Sequence, residues 1–143
     1  MAMRIHIKRA YEAPDPEDGY RVLVDRLWPR GVRKEALALD AWAKDLTPSD
    51  QLRRWFGHEP SRWAEFVRRY RAELRKEPAA SAVQELVARA RKGKLTLIHA
   101  ARDEEHNGAL VLRGVMVGAL GRGAVRSPAR ARTGGKSAPK RVR

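Results

Sequence analysis

The chain has 143 residues, no cysteine and a formal net charge of +14. That length suits one domain with a core of its own, and the missing cysteines exclude a disulfide framework, a thiolate metal site and a cysteine nucleophile. No run reads as a secretion signal or a membrane span, so a cytoplasmic protein with no membrane partner is expected.

Residues 3–8 alternate apolar and polar side chains, as a strand does. Residues 13–19, with two prolines and a glycine, form a loop by composition. Residues 20–28 predict a second strand, apolar at its centre and charged at its exit, broken by Pro29-Arg30-Gly31. Residues 34–46 are assigned to a helix, although Leu37, Leu39 and Trp42 match neither period cleanly. Thr47-Pro48-Ser49-Asp50 supplies a hydroxyl cap, a first-turn proline and an acid three residues on; the helix it opens carries Leu52 and Trp55-Phe56 and stops at Gly57-His58.

Pro60 opens another helix with Trp63, Phe66, Val67, Tyr70 and Leu74 along one face. Pro78 separates it from a further helix bearing Val83, Leu86, Val87 and Ala90, closed near Gly93. Residues 95–101 read as a buried strand. After a charged corner, the apolar run from Ala109 to about Leu120 is too long for a strand and reads as a helix. In it Gly114 and Gly118 suggest close helix packing. This order predicts an α/β fold: a small, at least partly parallel sheet flanked by helices, as a single compact domain over residues 1–120.

Residues 121–143 have another character. They hold eight basic residues (Arg122, Arg126, Arg130, Arg132, Lys136, Lys140, Arg141, Arg143) and no acid. Residues 1–120 therefore keep 23 of the 31 basic residues against all 17 acidic ones, a net of +6. A tail rich in Gly, Ala, Ser, Pro and Arg cannot bury enough apolar surface to offset its ordering, so a disordered basic C-terminal tail is expected. It could contact nucleic-acid phosphates without reading sequence, or simply keep the protein soluble. Its Gly134-Gly135-Lys136-Ser137 lacks the upstream glycine and strand of a phosphate-binding loop.

Chemistry gathers at two polar corners. Asp25 and Arg26 end the second predicted strand, with Arg30 just beyond; Arg102, Asp103, His106 and Asn107 follow the strand over 95–101. Parallel neighbouring strands would bring these groups to one sheet edge, where open α/β sheets place ligands. Arginines offer bidentate donors for phosphate or carboxylate, and a helix start nearby favours an anion. Asp25 or Asp103 could serve as general base or nucleophile, and His106 as acid or base. Trp55 and His58 complete the ligand-binding candidates. The tryptophans are also natural core or pocket wall, and His58 a loop hydrogen-bonder.

The corners could equally be an ion-pair network that fastens two strand ends. Asp103 and His106 have helical i, i+3 spacing, but no dense ligand cluster accompanies them, so neither metal nor cofactor is expected. Two functions remain open: an enzyme acting on a phosphate-bearing or nucleotide-derived substrate, and a non-catalytic module that binds an anionic small molecule, a nucleotide-like ligand or, through the tail, nucleic acid.

Four motifs in order add to this reading: Val24-Asp25-Arg26-Leu27-Trp28-Pro29-Arg30-Gly31, Trp55-Phe56-Gly57-His58, Arg68-Arg69-Tyr70 and Ala100-Ala101-Arg102-Asp103-Glu104-Glu105-His106-Asn107. Across residues 20–107 the chain resembles the YeaO-like branch of the bacterial domain of unknown function 488. The resemblance implies a compact α/β fold and a bacterial cytoplasmic protein, and it imports no activity. Longer members of the family carry related charged residues at both corners, which implies that the corners belong to one site. Residues beyond Leu120 lie outside the resemblance.

Overall fold

The structure, a computed structural model, describes residues 5–125, with side chains through Gly121. Four strands form it, β1 (Ile5–Arg9), β2 (Tyr20–Leu23), β3 (Ala41–Trp42) and β4 (Leu95–His99), with five α-helices: α1 (Lys34–Leu37), α2 (Asp50–Phe56), α3 (Trp63–Leu74), α4 (Ala79–Lys92) and α5 (Gly108–Val125). The sheet has the order β1-β4-β2-β3, and every pairing is parallel. β4, with five buried residues, lies between β1 and β2, and its two polar members, Thr96 and His99, each find a hydrogen-bond partner.

One sheet face carries Ile5, Val22, Val24, Leu95 and Leu97 into the main core, under the apolar faces of α2 to α5. The other carries Leu23 and Ile98, with Ala10, into a smaller core closed by Leu37 of α1 and the partly buried Trp28, Val32, Leu39 and Trp42. Gly19 leads into β2 at φ 65°, where a Cβ would lie 2.2 Å from the Lys94 carbonyl oxygen. Only glycine fits that approach, which Tyr20 N–H completes by donating to the same oxygen at 3.0 Å.

Several boundaries differ from expectation. The start of the first strand at Met3 lies outside the described residues. β2 ends at Leu23 rather than Trp28, and β4 at His99 rather than Ala101. The Ala100 N–H that a continuing ladder would offer to a backbone carbonyl goes to the Asp25 carboxylate at 2.8 Å. The helix assigned to residues 34–46 is one turn, α1, stopped where Ala38 turns left-handed at φ 49°. The chain then pairs with β2 as β3 and closes in a 3-10 turn, Lys44–Leu46. The hydroxyl capping α2 is that of Ser49, which accepts from Leu52 N–H; Thr47 donates backwards to the Lys44 carbonyl. α5 runs on to Val125, so residues 121–125, assigned to the tail, are helical. Gly114 is exposed, and a Cβ there would make only an ordinary 3.7 Å contact with the Arg71 guanidinium, so close helix packing does not explain it. The residues from Arg126 to Arg143 lie outside the described residues.

Candidate functional site

β2 and β4 are parallel neighbours, so their C-terminal ends share one edge. Val24 N–H donates to the Ile98 carbonyl at 3.0 Å, and one residue later Asp25 Oδ2 accepts from Ala100 N–H. The first corner is thus tied to the second through Asp25. Burial pushes the Asp25 carboxyl above its usual range, and the Ala100 N–H only partly offsets this. Its own backbone carbonyl accepts from the Trp42 indole N–H at 2.7 Å, which ties β3 to the same edge.

Two side chains outside the predicted corners hold this strand end, Arg9 from β1 and His99 from β4 itself. Arg9 Nε donates to the Ala101 carbonyl at 2.9 Å and Nη2 to the Ala100 carbonyl at 3.4 Å. His99, 2% exposed, accepts from Ala101 N–H on Nδ1 at 3.1 Å. That bond requires the tautomer with its proton on Nε2. Burial, with Arg9 beside it, holds the imidazole below its ordinary pKa. Arg9 occupies an ordinary strand position, and the signal that could have found it is only its place at the strand's end.

In the second corner, Asp103 Oδ1 accepts from Glu105 N–H at 2.9 Å and His106 N–H at 3.1 Å, and Oδ2 lies 2.9 Å from His106 Nδ1. The Glu105 N–H and the His106 side chain hold its carboxyl below the ordinary range. Asn107 is buried: Nδ2 donates to the Asp103 carbonyl and Oδ1 accepts from Leu110 N–H, so it caps α5. Arg102 is exposed, with neither hydrogen bond nor ion pair among the described residues. Arg30 is likewise exposed; its carbonyl accepts from the Tyr11 hydroxyl at 3.2 Å, while its guanidinium stays unpaired among the described residues.

The remaining candidates approach through aromatic contacts. The His106 ring meets Trp63 edge-on at 5.3 Å; Trp63 lies 5.9 Å from Phe56, and Phe56 6.1 Å from His58. His58 is exposed at φ 58° on the turn after Gly57. Arg26 reaches α2 through Asp50 at 3.1 Å. Trp55 lies under Arg69 and Arg62. Contacts thus join Asp25 to the end of β4, Asp103 to His106 and Asn107, and Arg26 to α2. Among the described residues no group of three or more histidine, aspartate or glutamate side chains could hold a metal ion, and no helix is long and apolar enough to cross a membrane.

A family model described as "Inactive DUF488-N3 subclade" matches residues 4–133, beyond the boundary expected at Leu120. The uncharacterized protein YeaO of Escherichia coli (strain K12) is 46% identical over 110 residues, covering 77% of this chain and 94% of its own. The uncharacterized protein Rv3073c of Mycobacterium tuberculosis (strain H37Rv) is 40% identical over 115 residues, covering 80% of this chain and 95% of its own. No solved structure matches.

Proposed function

Because this chain belongs to the DUF488 family, matching the subclade described as inactive, we propose that it is a non-catalytic binding module holding an anionic, phosphate-bearing ligand at the C-terminal edge of its sheet. One observation carries this reading: the carboxylates and amide near the strand ends are committed to the fold, while Arg102 and Arg30 are not. Asp25 holds Ala100, Asp103 holds the turn before α5, and Asn107 caps that helix. Arg102 and Arg30 present guanidiniums unpaired among the described residues, which suit a doubly charged oxygen group. Arg26 can join them by exchanging its half-exposed partner Asp50.

The test is calorimetric titration of the full chain with inorganic phosphate, a nucleoside monophosphate and a nucleoside diphosphate. At least one should bind, Arg102→Ala should weaken it about tenfold, the loss of one charge-assisted contact, and the ligand should be recovered unchanged. Equal binding by the parent and the Arg30→Ala/Arg102→Ala double variant would overturn the site. A second reading rests on the Asp103–His106 pair, whose 2.9 Å contact orients an imidazole as hydrolytic enzymes do. Turnover of any of these ligands that is lost in His106→Gln and retained in Arg102→Ala would favour it.

A further inference from the structure

The cations of α2 and α3 form a second surface, which meets the sheet edge at Asp50, shared by Arg26 and Arg53. Residues 50–76 hold eight basic side chains, seven of them arginine, against four carboxylates. All eight basic side chains are exposed. Three of the carboxylates are already taken: Asp50 by Arg26 and Arg53, Glu65 by Arg68 and Arg69, and Glu73 by the Ser49 N–H and hydroxyl. Asp50 and Glu65 each answer two guanidiniums with one charge, so a positive charge is left over at each pair.

The centre of this surface is Trp55. The Arg69 guanidinium lies 4.4 Å from its ring centroid and that of Arg62 5.4 Å, and Arg62 Nη1 donates to the Trp55 carbonyl at 2.5 Å. A guanidinium lying over an indole face loses side-chain freedom before any partner arrives, and the N–H groups along its edge stay available. Arg69 also shares Glu65 with Arg68, so three guanidiniums stand together with one carboxylate among them.

We propose that the α2–α3 hairpin, centred on Arg62, Trp55 and Arg69, is a docking surface for the phosphate backbone of nucleic acid. Charge and donor geometry favour that occupant: fixed arginine forks match phosphate oxygens, and the surface is mostly arginine. An anionic membrane fits less well. The exposed large apolar side chains among the described residues are Tyr11, Leu27 and Val117, none of them on α2 or α3, so nothing there would enter a bilayer. Since guanidiniums cover the Trp55 ring, the contact is to phosphates and reads no base. The surface is built from the α2–α3 hairpin alone, and it predicts that residues 50–76 contribute affinity of their own.

The experiment is a fluorescence-anisotropy titration of a labelled 20-base-pair duplex with the full chain, across a salt series. The parent is compared with Arg62→Gln/Arg69→Gln and with Arg33→Gln/Lys34→Gln, which removes the same charge from the start of α1. The hairpin variant should bind roughly tenfold more weakly. Its log–log salt slope should be shallower by about 1.8, because two phosphates go unneutralised at ~0.9 each. Arg62→Lys/Arg69→Lys should restore most of the slope, and the α1 variant should lose less than about twofold, the effect of net charge alone at a distance. Equal losses in the hairpin and α1 variants, an unchanged hairpin variant, or equal affinity of the parent for phosphatidylserine vesicles at the same salt would each overturn the proposal. Should the glutamine variant not fold, arginine-directed labelling of the parent with phenylglyoxal decides: duplex must protect Arg62 and Arg69, and absence of protection refutes the surface.

Discussion

Two charged clusters in this molecule meet opposite fates. In the loops after β4 and β2, Arg102 and Arg30 are exposed and unpaired among the described residues. On the sheet face toward α1, Asp18 (8% exposed) and Arg21 (4%) are buried together. Arg21 Nη1 lies 2.5 Å from Asp18 Oδ2, Lys8 Nζ stands 3.1 Å from the same carboxylate, and Asp15 N–H donates to it at 3.0 Å. The other nitrogens of Arg21 cover the Leu37 and Ala38 carbonyls, which α1 leaves open at its end. Thr96 Oγ1 donates to the Asp18 carbonyl at 2.7 Å and joins the cluster to β4. Charges of this kind anchor the crossover layers to the sheet and have nothing left for a ligand. The edge is arranged the other way, with anchoring carboxylates and idle arginines.

The largest expected effect tests that contrast. Arg21→Ala strands a buried carboxylate and two carbonyls, and should cost about 3–5 kcal/mol in equilibrium urea denaturation. Arg102→Ala should fall within about 0.5 kcal/mol of the parent, as surface changes do. Comparable losses from the two would erase the distinction and make the edge a structural network as well.

Asp103→Ala and Asn107→Ala should fall between them, Asn107→Ala at about 1 kcal/mol, because each removes a side chain that holds N–H groups at the turn into α5. The same denaturation series measures this. A loss from Asp103→Ala no larger than that from Arg102→Ala would release Asp103 from its structural duty and strengthen the enzymatic reading.

The contrast also explains what can be read from the sequence. α3 and α4 are legible because burial on a constant face leaves a period over many residues, β4 because it is a short, mostly apolar run, and both corners because charged motifs interrupt apolar runs. β3 is not, since a two-residue strand has no period and exists only because β2 has an edge to pair. Lys8 and Arg21 occupy alternating polar positions that look solvent-facing, and only tertiary structure reveals that the loop before β2 and the chain around α1 cover that face. Of the two hydroxyls before α2, geometry selects Ser49 over Thr47 by two residues, below what spacing resolves. The Trp55 motif does not show that its ring stands under Arg62 and Arg69, a contact that only the tertiary structure supplies.

Acid should discriminate between groups at the edge. His99 has a folded pKa below its unfolded value, so its contribution is present above the unfolded value near 6.5 and is lost as pH falls below it. Asp25 has the opposite sign: its folded pKa is raised, so ionisation destabilises the fold, and stability recovers as pH falls through the folded value. Thermal melts from pH 7 to pH 5 should therefore show a Tm decline in the parent that His99→Asn reduces, with Asn Oδ1 accepting from Ala101 in place of Nδ1. Asp25→Asn keeps an acceptor for Ala100 and should raise Tm at pH 7. A lower Tm at pH 7 in Asp25→Asn would mean that the carboxylate charge itself holds the edge.

The smallest effect concerns Arg26 and Asp50. Both side chains are nearly half exposed, at 48% and 40%, and Arg53 contacts the same Asp50 oxygen at 2.7 Å. Pairs of this kind are worth about 0.2–1 kcal/mol and weaken as salt is added. A double-mutant cycle with Arg26→Ala and Asp50→Ala should return a coupling near the bottom of that range at low salt and nothing measurable at about 1 M. The interest lies in what removal of the pair releases. Asp50→Asn leaves Arg26 without its carboxylate and, on the proposed reading, free for the ligand, so phosphate affinity should rise two- to threefold, while stability barely moves. Weaker phosphate binding in Asp50→Asn would show that Asp50 positions Arg26 for the ligand, and Arg26 would then belong to the anchoring cluster's kind and not to the idle arginines of the edge.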